Sequence, residues 1–119
     1  MNKINNIDTF NGLLEKFKET TTPILLILCV RCDNHFLTDQ VVRKVEKTYD
    51  VGYYQVSQEA SKSIKNELQI IDNPALIIIE NGELKAILKG IVAQHQLEKA
   101  LHELSLKKDD QEVKSLANN

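Results

Sequence analysis

Hydrophobic residues along this 119-residue chain change their spacing several times, and each change predicts a new element. Phe10, Leu13, Leu14 and Phe17 recur at i, i+3, i+4 and i+7 behind Asp8 or Thr9, either of which can cap a helix, so a first helix is expected to run to Lys18. The run ILLILCV, Ile24 to Val30, follows Pro23 and is apolar throughout, as in a strand covered on both faces in a parallel sheet. Leu37, Val41, Val45 and Tyr49 then repeat every four residues and predict a helix starting near Asp33 or Asn34. A short strand from Val51 to Val56 leads to Ser57, a candidate cap for a helix with Ala60, Ile64 and Leu68 on one face. After Pro74, two β-rich runs meet at Asn81-Gly82, a strong hairpin signal because both residues tolerate positive φ. Gly90 ends the hairpin, and Leu97, Ala100, Leu101 and Leu104 mark a last amphipathic helix. From Lys107 the chain is polar and is expected to fray.

Strands alternating with helices give parallel βαβ units, and the hairpin adds antiparallel strands at one side. The expected fold class is therefore α/β, a central mixed β-sheet flanked by helices on both faces, with a short edge strand possible at Ile4 to Ile7.

Composition narrows the function classes. Hydrophobic residues make up 42% of a chain long enough for one domain, which suits a packed core. A net charge of -2 argues against a nucleic-acid backbone as partner, and the basic group Arg43, Lys44, Lys47 reads as a solvated helix face. No stretch approaches the roughly 20 apolar residues that span a bilayer, and the start MNKINNIDTF has no apolar leader core, so no membrane role and a cytoplasmic location are expected.

The chemistry concentrates in CVRCDNH, residues 29–35, which holds both cysteines of the chain. In an extended chain, residues i and i+3 lie about 10 Å apart, whereas a disulfide needs Cα atoms roughly 4.4 to 6.8 Å apart. Unless Val30 and Arg31 turn, Cys29 and Cys32 are expected to stay unbridged, with Cys29 a buried, inert side chain at the strand end. Cys29, Cys32 and His35 also have C-x2-C-x2-H spacing, but only Asp39 is near enough to add a ligand, so no metal is assigned. His95 and His102 share a polar helix face and are given no role.

Up to about Leu104 the chain resembles the thioredoxin family. The resemblance rests on NPALIIIENGELKAILKG, in which a proline opens a β-hairpin, Asn-Gly turns it and a glycine precedes the last helix, and on the apolar strand ILLIL before a helix. It implies a thioredoxin-like domain over residues 1–106, with a polar tail over 107–119. It also implies that Pro74 is cis and faces the active-site cysteine. Counting back along the helix from Tyr49 places Cys32 at the family's nucleophile position and His35 at that of the second, resolving cysteine. Asp33 and Asn34 then replace Gly-Pro, Arg31 replaces a tryptophan, and Leu26 stands where the family keeps a buried aspartate. On this register the site residues are Cys32, His35 and, as a less favoured resolving partner, Cys29, with Arg31, Asn73 and Pro74 lining a substrate groove.

A helix N-terminus and the cations Arg31 and His35 would favour a Cys32 thiolate, while Asp33 and Asp72 oppose it. A lone Cys32 would form a mixed disulfide that it cannot release by itself. Two functions fit these residues. One is a thiol-disulfide oxidoreductase or redox-associated protein acting on protein or small-molecule thiols and disulfides, without a cofactor. The other is a non-catalytic binding module that uses the groove near Cys32 and Pro74.

Overall fold

In the computed structural model the structure describes residues 2–4, 7, 9–31 and 35–104, with the backbone alone at Asn2, Lys3 and His35. The elements are β1 (Asn2–Ile4), α1 (Phe10–Lys16), β2 (Ile24–Leu28), α2 (His35–Val45), β3 (Gly52–Val56), α3 (Gln58–Leu68), β4 (Ala75–Glu80) and β5 (Glu83–Lys89). A further helix, α4, occupies 94–104.

The five strands form one sheet in the order β1-β3-β2-β4-β5. β3 runs parallel to both β1 and β2, while β4 is antiparallel to β2 and β5. β2 is therefore the central strand, and Leu26 pairs with Tyr54 on one side and Ile77 on the other. All of its residues are buried because both faces are covered. Ile24, Leu26 and Leu28 join Leu13 and Phe17 from the first helix and Ala60 and Ile64 from α3. Leu25, Ile27 and Cys29 join Val42 and Val45 of α2 and Leu97 and Leu101 of α4. Each such aliphatic side chain contributes on the order of 1.5–3 kcal/mol when removed from water, so the alternation along β2 fastens both helix layers.

The expected α/β class and element order hold, with two local differences. The edge strand lies at Asn2–Ile4 rather than Ile4 to Ile7. On α2 the fully buried stripe is Thr38, Val42 and Val45, while Leu37, Val41 and Tyr49 are only partly covered. A four-residue spacing drifts around a helix of 3.6 residues per turn, so counting every fourth position selects the flank of the packed face. Thr9 caps α1 by accepting from the Gly12 N–H, and Ser57 caps α3 by accepting from that of Ala60. The expected tail over 107–119 lies outside the described residues.

Asn81 and Gly82 both take positive φ, at 57° and 73°. The turn also docks on the end of α1, where the Asn81 N–H donates to Thr20 O at 3.0 Å and a Cβ on Gly82 would meet Lys18 Cα at 2.7 Å. Gly82→Ala should consequently lower stability by about 1–2 kcal/mol, the usual penalty for an L-residue in this conformation. Urea denaturation should show a lower midpoint at an unchanged slope; equal midpoints would refute the double constraint.

Candidate functional site

β2 loses its ladder partner after Leu28, which pairs with Ala75. The next peptide groups are satisfied by side chains. The Cys29 N–H donates to Ser61 Oγ at 3.2 Å, and that hydroxyl donates to Val56 O at 3.2 Å, linking the end of β2 to α3 and β3. The Val30 N–H donates to Asn73 Oδ1 at 2.9 Å, while Asn73 Nδ2 donates to the Val30 carbonyl. One side-chain amide thus meets both backbone groups of Val30, as a neighbouring strand would. Asn73 itself precedes a cis bond to Pro74, whose carbonyl accepts from the Gly90 N–H at 2.8 Å.

Lys65 completes this set. It lies one turn beyond Ser61 on α3, is only 7% exposed, and donates through Nζ to Asn73 Oδ1 at 3.2 Å. Burial lowers its pKa, and the charge of Asp72 partly offsets that effect. Among the described residues the only ion pair is Lys85–Glu83, so the part-buried Lys65 ammonium has no carboxylate of those residues at ion-pair distance.

Cys29 is 8% exposed, as expected of a residue at the strand end, but it is disulfide-bonded. This corrects the expectation that it stays an unbridged, inert thiol. The reason lies in the two residues that follow. Val30 and Arg31 are bends, and Arg31 adopts φ 51°, so the chain is not extended where the distance argument assumed it was. Positive φ is uncommon for a residue with a side chain, and such strain concentrates at functional sites. The sequence contains one other cysteine, Cys32.

Cys32, Asp33, Asn34 and the side chain of His35 lie outside the described residues, and with them the expected contact between Cys32 and Pro74. Asn73, Pro74, Arg31 and Cys29 do converge at one end of the sheet. Leu26 is fully buried among Ile24, Leu28 and Ile77, an apolar position in the middle of the sheet. Asp39 accepts a hydrogen bond from the Tyr53 hydroxyl of β3, whose pKa is pushed far up by burial, with the hydrogen bond and charge of Asp39 and the charge of Glu46 adding to it. Sequence reasoning missed Ser61 and Lys65. Their signal was position, because each directly follows an apolar stripe residue, Ala60 or Ile64, and so sits on the flank of the packed face.

Next to this segment lies a cavity of about 670 Å³ between α3 and the residues around Val30 and Ile70, with Arg31, Lys62 and Lys65 in its wall. Three large apolar side chains are exposed around the same end: Phe36 at the start of α2, Ile71 two residues before Asn73, and Ile91 after Gly90.

No protein-family model matches the chain, and no curated protein is significantly similar to it. Solved structures are. Mitochondrial thioredoxin 3 from Saccharomyces cerevisiae, in its oxidized form, is similar with a TM-score of 0.67 at 16% identity, over 87% of this chain and 94% of that one. Thioredoxin from Fasciola hepatica gives 0.65 at 13%, over 87% and 98%. Thioredoxin O2 from Arabidopsis thaliana gives 0.62 at 21%, over 86% and 93%. The chain has the thioredoxin-like fold.

Two outcomes follow from the hydrogen bonds. Asn73→Ala removes both partners of Val30 and should cost about 1–3 kcal/mol, at roughly 0.5–1.5 kcal/mol per hydrogen bond. Amide exchange at Val30 should quicken more than at Leu26; equal acceleration at both would mean that Asn73 does not hold this segment. Lys65 has a folded pKa below its unfolded value of about 10.4, so between the two the unfolded chain carries more protons and stability rises with pH. The stability of wild type relative to Lys65→Met should therefore increase as pH climbs through that window, as read from urea midpoints between neutral pH and pH ~10.5. A flat or falling difference would show that burial does not disfavour the charge.

Proposed function

We propose that the chain is a thiol-disulfide oxidoreductase in which Cys32 attacks and Cys29 closes the disulfide. The observation that carries this reading is the bonded state of Cys29, beside the cis Asn73-Pro74 bond and inside a thioredoxin-like fold. A buried sulfur is poorly placed to meet a substrate, so attack falls to Cys32. The Cys32 thiolate attacks one sulfur of a substrate disulfide, whose S–S bond breaks and releases one thiolate. The Cys29 thiolate then attacks Cys32 Sγ, expels the second substrate thiolate and leaves the protein disulfide. Two electrons pass to the substrate, and the two protons of the protein dithiol end on the released thiols. An external thiol restores the dithiol, which suits a reducing compartment such as the cytoplasm.

In this reading Arg31 and His35 support the Cys32 thiolate, and Phe36, Ile71 and Ile91 give a protein substrate an apolar rim around the site. The binding-module reading draws on one observation, the leucine at position 26, which leaves the middle of the sheet without a buried carboxylate to take the second thiol's proton.

The test is disulfide reduction with dithiothreitol as terminal reductant. With dithiothreitol wild type should turn over repeatedly and Cys32→Ser should be inactive, while prereduced Cys29→Ser mixed with the substrate disulfide after removal of dithiothreitol should stop as a mixed disulfide seen by mass spectrometry. Alkylation of Cys32 in the Cys29→Ser protein should exceed that of free cysteine at neutral pH, because a thiolate pKa below about 8.5 enlarges the reactive fraction, and His35→Ala should slow it. Alkylation no faster than free cysteine, together with no turnover, would leave the binding module.

A further inference from the structure

The cavity beside the cysteine segment has a wall of unusual charge. Arg31 comes from within CVRC itself, while Lys62 and Lys65 come from α3. The acidic groups nearby are Glu59, also in the wall and one turn before Lys62 on α3, and Asp72, whose charge is felt at Lys65. Cations therefore outnumber anions among these groups, in a chain whose overall net charge is -2.

Lys65 is the telling member. Most of the Lys65 side chain is covered, and its ammonium, part-buried at the cavity wall, has the neutral amide oxygen of Asn73 as its hydrogen-bond partner rather than a carboxylate. An ammonium carries three donors, and a single bond uses one of them. Burial disfavours its charge, as the lowered pKa records. An anion entering the cavity would supply the missing counter-charge, with Lys62 and Arg31 adding attraction from the wall. The apolar part of the wall, Val30, Ile70 and Ile71, suits a ligand that also has a carbon skeleton. At about 670 Å³ the cavity falls within the usual range for a small molecule, roughly 300–1,000 Å³.

We propose that this cavity is a binding site for the carboxylate-bearing arm of a small acidic disulfide that exchanges with Cys32. The proposal rests on the oxidoreductase reading and names its substrate class. Val30 and Arg31, which separate the two cysteines in the sequence, are themselves part of the cavity wall. The exchange is the two-step reaction given above. The acidic disulfide is reduced to two thiols and the protein dithiol is oxidised.

The test compares three disulfides with the prereduced protein: oxidised glutathione, which is acidic; hydroxyethyl disulfide, which is neutral; and cystamine, which is cationic. Each rate is divided by that of dithiothreitol with the same compound. Wild type should favour oxidised glutathione over cystamine several-fold, the preference should weaken at high salt, and it should reverse in Lys62→Glu. A separate titration with S-methylglutathione, which keeps the carboxylates but has no exchangeable sulfur, should shift the amide resonances of Lys62, Lys65 and Ile71 saturably, and Lys62→Glu should abolish those shifts. Reaction with hydroxyethyl disulfide but no charge preference and no saturable shift would overturn the cavity assignment and leave the oxidoreductase standing. Saturable shifts without reaction with any disulfide would overturn the oxidoreductase reading, and with it the disulfide as ligand.

Discussion

β2 is buried on both faces, and the first peptide N–H beyond it, that of Cys29, is still buried where the strand ends. Up to Leu28 the neighbouring strands satisfy them. At Cys29 and Val30 the ladder has run out, and at Cys29, whose N–H is buried, a peptide group without a partner would cost as much as a lost hydrogen bond. Ser61 and Asn73 meet that demand, and in doing so they fix where the cysteine segment begins and in which direction it leaves the sheet. The rest of the site follows from this requirement. Asn73 must sit beside Val30, which draws the 70–74 segment against the end of β2, and Ser61 must face inward, which sets the rotation of α3.

That rotation explains Lys65. A residue four positions after Ser61 lies on the same helix face, so orienting Ser61 toward Cys29 turns Lys65 toward Asn73 as well. The lysine stem fills space beside the core while its ammonium reaches the amide. Asn73 Oδ1 consequently accepts from two donors, the Val30 N–H and Lys65 Nζ, which uses both of its lone pairs and orients the amide so that Nδ2 faces the Val30 carbonyl. The polar weight of the site is carried by α3 and the 70–74 segment, and the central strand at Leu26 is left apolar.

The fold was legible because its signals are local or periodic. The all-apolar ILLIL, the Ser57 cap, the Asn81-Gly82 turn and the four helical stripes each depend on neighbours within a few positions. The site was less legible because its contacts are not local. Cys29 meets Ser61 across 32 positions, and Val30 meets Asn73 across 43. Nothing in the spacing of a serine or a lysine announces such a partner, since both side chains are ordinary on a solvated helix face. The disulfide at Cys29 was misjudged for a related reason. Extended geometry ends at Leu28, and the chain bends at Val30 and Arg31, where Asn73, 43 positions away, holds the backbone.

With every residue from Ile24 to Leu28 apolar and buried, β2 offers polar or thiol chemistry only where it emerges from between the helix layers. In this sheet the emerging end of β2 meets the entering end of its antiparallel neighbour β4, so the residues just after Leu28 and just before Ala75 come together from opposite chain directions. Cys29, Val30 and Arg31 arrive from one side, Asn73 and Pro74 from the other. α3, which follows the parallel neighbour β3, closes the third side with Ser61 and Lys65. The same pairing that buries the core therefore gathers Cys29, the backbone groups of Val30 and the Lys65 ammonium at one edge. That edge opens onto a cavity, lined by Val30 and Arg31 on one side and on the other by α3, which starts at Gln58 after the single capping residue Ser57.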